Sequence, residues 1–306
     1  GGGAMLMAWL ALAGGAGLCA VAVALLGAPL RARLLAGNVV DAPNARSSHR
    51  DPKPRGGGLA VFAVVLPAWP LAAYLGGEPG AAVTAGVLSA LTAAVAGLGW
   101  IDDLRGLSAG LRLGVQAAAV LAGVLLLAPG PVFHGWLPGW LDTGLAVLLW
   151  LWFVNLFNFM DGIDGLAAVE TAAIGLGLGA LWLLAGAAPG APAVTLPILL
   201  AGAALGVLWW NWAPSRLFLG DVGSVGLGYA LGWLLLATAA EGYLLAALVL
   251  PGYYLVDATL TLLDRLRRGE KVWRPHRQHA YQRAVQRGMS HAAVAGRVAV
   301  ANGVLI

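Results

Sequence analysis

Ten apolar stretches follow one another along the chain, and most are long enough to cross a lipid bilayer. A membrane-spanning helix needs about 17–25 predominantly apolar residues. Of the 306 residues, 60% are hydrophobic and only 10% are charged, whereas soluble domains carry about 25% charged residues. We therefore predict an all-α, polytopic membrane protein, a single domain over 1–306, with about ten transmembrane helices near 5–30, 59–75, 81–101, 113–129, 143–157, 166–186, 194–211, 224–240, 243–263 and from about 291. Residues 1–4 look like an expression scar and are left out of this prediction.

The basic residues are distributed very unevenly between the predicted loops. Seventeen of the 18 lysines and arginines fall in the loops 31–58, 102–112, 211–223 and 264–290, and the loops of the other side carry none. Cytoplasmic loops of membrane proteins are enriched in Lys and Arg. We therefore expect these four loops to be cytoplasmic, the N-terminus to lie outside, and the basic character to reflect orientation rather than nucleic-acid binding.

The run from Asn155 to Leu166 contains two carboxylates and two amides directly after an apolar span. Polar and ionisable residues at membrane depth are costly, so they usually mark function. Asn155, Asn158 and Asp161 are three residues apart, and on a continuing helix they share one face. This run is the first candidate site.

Four further polar blocks are predicted at the same membrane surface. Each also has a purely structural explanation: a solvated helix end for the aspartate pair, an N-cap for the Gly-Asp-x-Gly-Ser turn, and orientation signals or interfacial side chains for the basic residues and histidines. Three glycines at a helix start, 56–58, are able to present backbone N–H groups to an anion. The blocks are Asn44 to Gly58, Asp102-Asp103 with Arg105 and Arg112, Phe218 to Ser224, and Arg274 to Gln282.

Together the blocks indicate phosphate chemistry at one membrane face. Five acids, at positions 102, 103, 161, 164 and 221, all lie at the cytoplasmic ends of predicted spans. Carboxylate and amide oxygens suit Mg²⁺ or Mn²⁺. Arginine, lysine and histidine groups around them are suited to holding a diphosphate. The pattern favours phosphoryl transfer with a lipid as one partner.

In these residues the chain resembles the polyprenyl-phosphate N-acetylhexosamine-1-phosphate transferases, of the glycosyltransferase family 4 type. The resemblance implies ten or eleven helices, with the site in a cytoplasmic cleft of a bacterial inner-membrane protein. It also implies transfer of a sugar 1-phosphate from a UDP-N-acetylhexosamine to undecaprenyl phosphate, with release of UMP and a need for Mg²⁺, as the first membrane step of cell-surface polysaccharide synthesis. Five blocks match in order: Pro43 to Gly58, Asp102-Asp103, Asn155 to Leu166, Phe218 to Ser224, and His276 to Gln282.

The resemblance assigns roles position by position. Asn158 and Asp221 would bind the metal. Asp102 and Asp103 would lie beside the lipid phosphate, one of them as a candidate base, and Asp161 would belong to the catalytic centre. Asp164 matches a position near the uridine. The expected substrate-binding residues are His49, Lys53, Arg55, Arg112, Asn155, Asp164, Arg274, His276, Arg277 and His279.

One departure from the family pattern bears on the substrate. The muramoyl-pentapeptide enzymes of the family carry three consecutive histidines in the last loop, whereas here Arg277 and Gln278 separate His276 from His279. This loop is more similar to that of O-antigen and other surface-polysaccharide initiating enzymes. The sequence does not fix which N-acetyl sugar is used, nor whether the chain forms a homodimer.

Two chemical routes and two other protein classes stay open at this stage. The lipid phosphate attacks the β-phosphorus directly, or an aspartate such as Asp161 first forms a covalent intermediate. A transporter or flippase of lipid-linked sugars also carries intramembrane charges. For that class we expect acids near the middle of the spans and two halves of similar sequence, and the sequence shows neither. A phosphotransferase acting on nucleotide-diphosphate alcohols needs a longer acid-rich helix motif than the one around Asp161.

Overall fold

The computed structural model describes residues 2–41, 52–127, 129–271 and 277–306, and these form an almost entirely helical protein. One short antiparallel pair of strands pairs Val40 with Pro54 and Asp41 with Lys53. The elements in chain order are α1 (Gly2–Ala36), β1 (Val40–Asp41), β2 (Lys53–Pro54), α2 (Gly58–Gly76), α3 (Ala81–Arg105), α4 (Ala109–Leu127), α5 (Gly139–Met160), α6 (Leu166–Leu184), α7 (Pro192–Asn211), α8 (Gly220–Thr238), a π-helical turn (Ala239–Tyr243), α9 (Leu244–Val249), α10 (Gly252–Arg267), α11 (Ala280–Gln286) and α12 (His291–Leu305).

The predicted class, an all-α polytopic membrane protein, is confirmed. Among the described residues, eight helical segments are long and apolar enough to cross a bilayer. Seven of them correspond to α1 to α7, and the eighth runs from Gly220 through the π-helical turn to Val249. The first eight predicted spans therefore each have a counterpart in the structure.

The ninth predicted span differs from the structure in detail, whereas the tenth begins where it was expected. The stretch 243–263 is divided into α9 and α10, which are separated by Leu250 and Pro251. Proline cannot donate a backbone hydrogen bond and clashes with the preceding turn, so a helix usually ends or kinks there. The final helix, α12, begins at His291 as predicted and runs to Leu305, next to the end of the given sequence.

The polar blocks lie at one end of the helix bundle. Helices α3, α5 and α7 end there, and α4, α6 and α8 begin there. Backbone and side-chain contacts connect these ends directly: Arg55 forms a bridge with Phe218, and Asp164 accepts a hydrogen bond from the N–H of Ser215. We call this end the basic face, because it carries the arginine-bearing loops.

Helices α2, α3 and α8 pack very closely at the basic face. A Cβ added at Gly58 in α2 would lie 2.3 Å from the Cα of Gly223 in α8. A Cβ added at Gly99 in α3 would lie 2.4 Å from the carbonyl oxygen of Asp221. Small residues allow helix backbones to approach one another in membranes. The glycines thus bring the start of α8 directly against α2 and α3.

Candidate active site

The centre of the site consists of two carboxylates and one guanidinium. Arg112 Nη1 lies 2.7 Å from Asp102 Oδ2 and 3.7 Å from Asp221 Oδ2. The carboxyl groups of Asp102 and Asp221 are therefore close neighbours, because both lie within 4 Å of the same Arg112 nitrogen. Two like charges this close repel unless a cation or proton lies between them. The structure therefore brings together three of the predicted site residues in an arrangement that favours binding of positive charge.

Asp103 has a different environment from its neighbour Asp102. Its carboxylate accepts hydrogen bonds from the backbone N–H groups of Asp221 and Val222, each at 3.0 Å. Arg55 lies 3.2 Å from the same carboxylate through Nε and donates from Nη2 to the Asp103 carbonyl at 2.8 Å. The aspartate pair is thus not a solvated helix end, because both residues are buried.

The two asparagines of α5 lie at different depths. The Oδ1 atom of Asn158 accepts a 2.7 Å hydrogen bond from Ser224 in the first turns of α8. Asn155 donates to Gln116 Oε1 at 3.0 Å and to the carbonyl of Leu151 at 2.8 Å. Because Ser224 is three residues after Asp221 and shares its helix face, Asn158 contacts the face of α8 that carries Asp221. Asn155 is one turn further from the basic face.

Asp161 lies just beyond the end of α5. Its φ and ψ of −84° and 52° are not helical, so the expected common helix face holds for Asn155 and Asn158 but not for Asp161. Burial, together with the nearby carboxylates of Asp103 and Asp164, raises the pKa of Asp161 to about 7. This carboxyl group can therefore change its charge near neutral pH.

The raised pKa of Asp161 predicts a pH dependence of stability. The folded state favours the protonated form, so this contribution is fully present below the ordinary pKa near 3.8 and is lost as the pH rises through about 7. We expect the unfolding temperature of the parent protein to fall between pH 5 and pH 8 by about 4 °C more than that of the Asp161→Asn variant. Thermal unfolding in detergent at the two pH values measures this difference.

Asp264→Asn is the control for this prediction, because Asp264 is an exposed carboxylate paired with Arg268 at the same face. It should leave the pH dependence of the unfolding temperature unchanged. Equal pH dependence in the parent protein and in Asp161→Asn would contradict the prediction.

Asp164 connects segments that are far apart in the sequence. Its carboxylate accepts from the Ser215 N–H at 3.0 Å, and it lies 3.4 Å from His291 Nδ1 and 4.0 Å from Lys53 Nζ. Burial alone would raise the pKa of Asp164, but its interaction with His291, the hydrogen bond from the Ser215 N–H and the nearby Lys53 charge outweigh it and hold the pKa below its ordinary value. Asp164 is therefore an ionised, nearly buried group.

The prediction that Gly56 to Gly58 present free N–H groups to an anion is wrong. The N–H groups of Gly56 and Gly57 donate to the carbonyl of Phe218, and that of Gly58 donates to the carbonyl of Leu219, at 2.8–3.0 Å. These donors are used to attach the start of α2 to the loop before α8. The glycines serve close packing rather than anion binding.

The last basic-face loop is organised by Asp257 of α10. Its carboxylate accepts from the N–H of Ala280 at 2.8 Å and from that of Tyr281 at 3.3 Å, at the start of α11. His279 Nδ1 lies 3.5 Å from the same carboxylate, and the histidine is buried. The carbonyl of Arg277 accepts a hydrogen bond from Gln286. His49, Arg274 and His276 lie outside the described residues.

Four residues at the site were not among the sequence predictions. Asp257 was not among the candidate site residues, although an acid within a predicted span is a recognisable signal. Ser215 contributes only its backbone, so no residue-type signal exists for it. Gln116 contacts Asn155 and His291 contacts Asp164. No pattern in the sequence indicates that these side chains meet.

The donor atoms at the site fit a hard cation. Among residues 2–41, 52–127, 129–271 and 277–306, no three His, Cys, Asp or Glu side chains are arranged to hold a metal ion. The predicted ligands Asn158 and Asp221 offer an amide and a carboxylate, both oxygen donors. Magnesium is typically bound by one or two carboxylates together with substrate phosphates. These residues therefore fit Mg²⁺ shared with a diphosphate, and they do not fit a metal that prefers thiolates.

Comparison with known proteins identifies the family. The family described as glycosyl transferase family 4 matches residues 85–239, about half of the chain. The chain belongs to glycosyl transferase family 4. This range includes the aspartate pair, Asn158, Asp161 and Asp221, so the family match covers the centre of the site. The predicted resemblance to polyprenyl-phosphate hexosamine-1-phosphate transferases is confirmed.

Similar proteins in this family come from several bacteria. The chain is 31% identical over 263 residues to the probable undecaprenyl-phosphate N-acetylglucosaminyl 1-phosphate transferase of Bacillus subtilis, covering 82% of the chain and 71% of that protein. It is 34% identical over 270 residues to the phospho-N-acetylmuramoyl-pentapeptide-transferase of Moorella thermoacetica, covering 81% of each. It is 32% identical over 282 residues to the decaprenyl-phosphate N-acetylglucosaminephosphotransferase of Mycobacterium leprae, covering 81% and 70%.

Proposed function

We propose that this protein transfers an N-acetylhexosamine 1-phosphate from a UDP-sugar to a polyprenyl phosphate and releases UMP. The observation that carries the proposal is the convergence of Asp102, Arg112 and Asp221 at the basic face, within the range that matches the family. The activities for which the similar proteins are named support the acceptor and the sugar class. The positive-inside distribution of arginines supports a site on the cytoplasmic side of the bacterial inner membrane.

Each side chain has a role that follows from its surroundings. When Mg²⁺ is bound, held by Asp221 and Asn158, it supplies charge neutralisation at the diphosphate. Arg112 keeps Asp102 and Asp221 close together and offers its remaining N–H groups to phosphate oxygens. Asp102, which lies beside Arg112, orients the incoming lipid phosphate. Positioning and charge neutralisation are most of what phosphoryl transfer requires.

The proposed reaction is a single displacement. An oxygen of the lipid phosphate attacks the β-phosphorus of the UDP-sugar, and the bond from that phosphorus to the UMP oxygen breaks. A phosphate monoester has a second pKa near about 6, so the acceptor is already mostly dianionic at neutral pH and needs little help from a base. In the two-step alternative, the Asp161 carboxylate attacks the β-phosphorus first and displaces UMP, and an oxygen of the lipid phosphate then displaces Asp161 from that phosphorus.

The test is UMP release by the purified protein with undecaprenyl phosphate, Mg²⁺ and a panel of UDP-N-acetylhexosamines. We expect release that requires both the lipid and the metal and that differs among the donors, which identifies the sugar. Omission of the lipid is the control that separates transfer from hydrolysis of the donor. No release from any donor, combined with binding of a lipid-linked sugar, would support a transporter instead.

A further inference from the structure

The start of α8 is stabilised from another helix rather than by its own preceding residue. Leu219, at the N-cap position, makes no side-chain capping hydrogen bond. The first free N–H groups of a helix need acceptors, and those of Asp221 and Val222 find theirs in the two carboxylate oxygens of Asp103, each at 3.0 Å. A residue of α3 thus caps α8.

Both sides of this contact are shaped for it. Gly220 has a φ of +74°, which favours glycine. A Cβ at that position would lie 2.6 Å from Asp103 Oδ2, so a larger residue would push the carboxylate away. A negative charge at a helix N-terminus is also favoured by the helix dipole.

Arg55 fixes Asp103 from the opposite side. Its Nε lies 3.2 Å from Asp103 Oδ1, and its Nη2 donates to the Asp103 carbonyl at 2.8 Å. One guanidinium therefore holds both the side chain and the backbone of the same residue. Arginine achieves this through its planar fork of donors, which lysine lacks.

These contacts leave Asp103 without access to a substrate. Its side chain is 0% exposed, whereas the side chain of Asp221 is 27% exposed. A residue that accepts a proton from a substrate must come within hydrogen-bonding reach of it. The contacts of Asp103 are with the backbone of α8 and with Arg55, whereas the partly exposed Asp221 carboxylate lies 3.7 Å from Arg112.

We infer that Asp103 and Arg55 are positioning residues, which fix the first turn of α8 and so hold the Asp221 carboxylate opposite Asp102 and Arg112. This inference rests on the proposed function for the role of Asp221 in catalysis. It separates the two adjacent aspartates: Asp102 acts at the substrate, and Asp103 acts through Asp221. Catalytic groups must be held within about half an ångström of their working position by such supporting contacts.

The matched variants Asp103→Asn and Asp102→Asn test this inference in the full chain. Amide hydrogen exchange is followed in a peptide that covers Phe218 to Ser224, in the purified protein without donor or lipid. We expect Asp103→Asn to speed exchange of the Asp221 and Val222 amides about tenfold, and Asp102→Asn to leave it within twofold of the parent protein. Arg55→Ala, which keeps the Asp103 acceptor, should speed exchange about threefold and serves if Asp103→Asn does not fold.

UMP release in the same variants completes the experiment. Faster exchange together with a lower kcat and a nearly unchanged KM for the UDP-sugar in Asp103→Asn would support a positioning role. Loss of UMP release with unchanged exchange in both Asp103→Asn and Arg55→Ala would overturn it, because Asp103 would then act on the substrate. Faster exchange in a protein whose parent form releases no UMP would support the cap and overturn the proposed function, so the two failures are distinguishable.

Discussion

Replacing Asp221 with asparagine is expected to lower the kcat for UMP release about a thousandfold. Asparagine keeps the shape of the side chain, and the backbone N–H at this position still donates a hydrogen bond to the Asp103 carboxylate. The fold should therefore be retained. The change removes the negative charge beside Arg112 and one of the two proposed metal ligands. Loss of one electrostatic contact to the transition state commonly costs about a hundred- to a thousandfold.

The measurement is kcat with saturating donor and lipid, over a range of Mg²⁺ concentrations, together with the thermal unfolding temperature. Asp264→Asn is the matched control, since it removes a carboxylate at the same face that pairs with Arg268 instead. We expect the control to stay within twofold of the parent protein. A kcat for Asp221→Asn within threefold of the parent value would show that this carboxylate takes no part in the reaction.

Replacing Gly99 with alanine is expected to lower UMP release about a hundredfold and to destabilise the protein. The new Cβ would lie 2.4 Å from the Asp221 carbonyl oxygen and 2.7 Å from the Val222 nitrogen. Neither is the end of a flexible side chain, so α3 and α8 must move apart. Overpacking of this kind costs about 1–3 kcal/mol, and a displacement of about 1 Å in a catalytic site can cost a hundredfold in rate.

Gly97→Ala provides a control in the same helix. Nothing lies within 4 Å of a Cβ at this position, and alanine has the higher helix propensity. We expect this variant to retain the kcat and to keep or slightly raise the unfolding temperature. Similar losses of UMP release in both variants would show that the effect of Gly99→Ala does not come from the contact between α3 and α8.

The general plan of the protein could be predicted from its sequence because two strong signals coincide. Long apolar runs determine where helices cross, and each crossing reverses the direction of the chain, so polar blocks at alternate ends must meet at one face. A long apolar run does not, however, show where a helix ends and the next one begins within it. The break between α9 and α10 coincides with Pro251, a residue whose effect on helices is known and which the apolar pattern obscured.

The roles of individual residues at the site were harder to predict. The sequence gives the positions of Asp102 and Asp103 but not the direction of their side chains, and adjacent residues on a helix point about 100° apart. One faces Arg112 and the other faces the backbone of α8. Similarly, the N–H groups of Gly56 to Gly58 pair with the carbonyls of Phe218 and Leu219, and no periodicity reveals a backbone partner so far along the chain.

The surroundings of Asp164 impose an order on biogenesis. His291 follows Asp164 by 127 positions, and Lys53 precedes it by more than a hundred. A nascent chain that has inserted its first seven helices already contains Asp164 and Lys53 but not yet His291. The surroundings of this carboxylate are therefore complete only after residue 291 has been synthesised, so this part of the basic face takes its final form later than the helices on either side of Asp164.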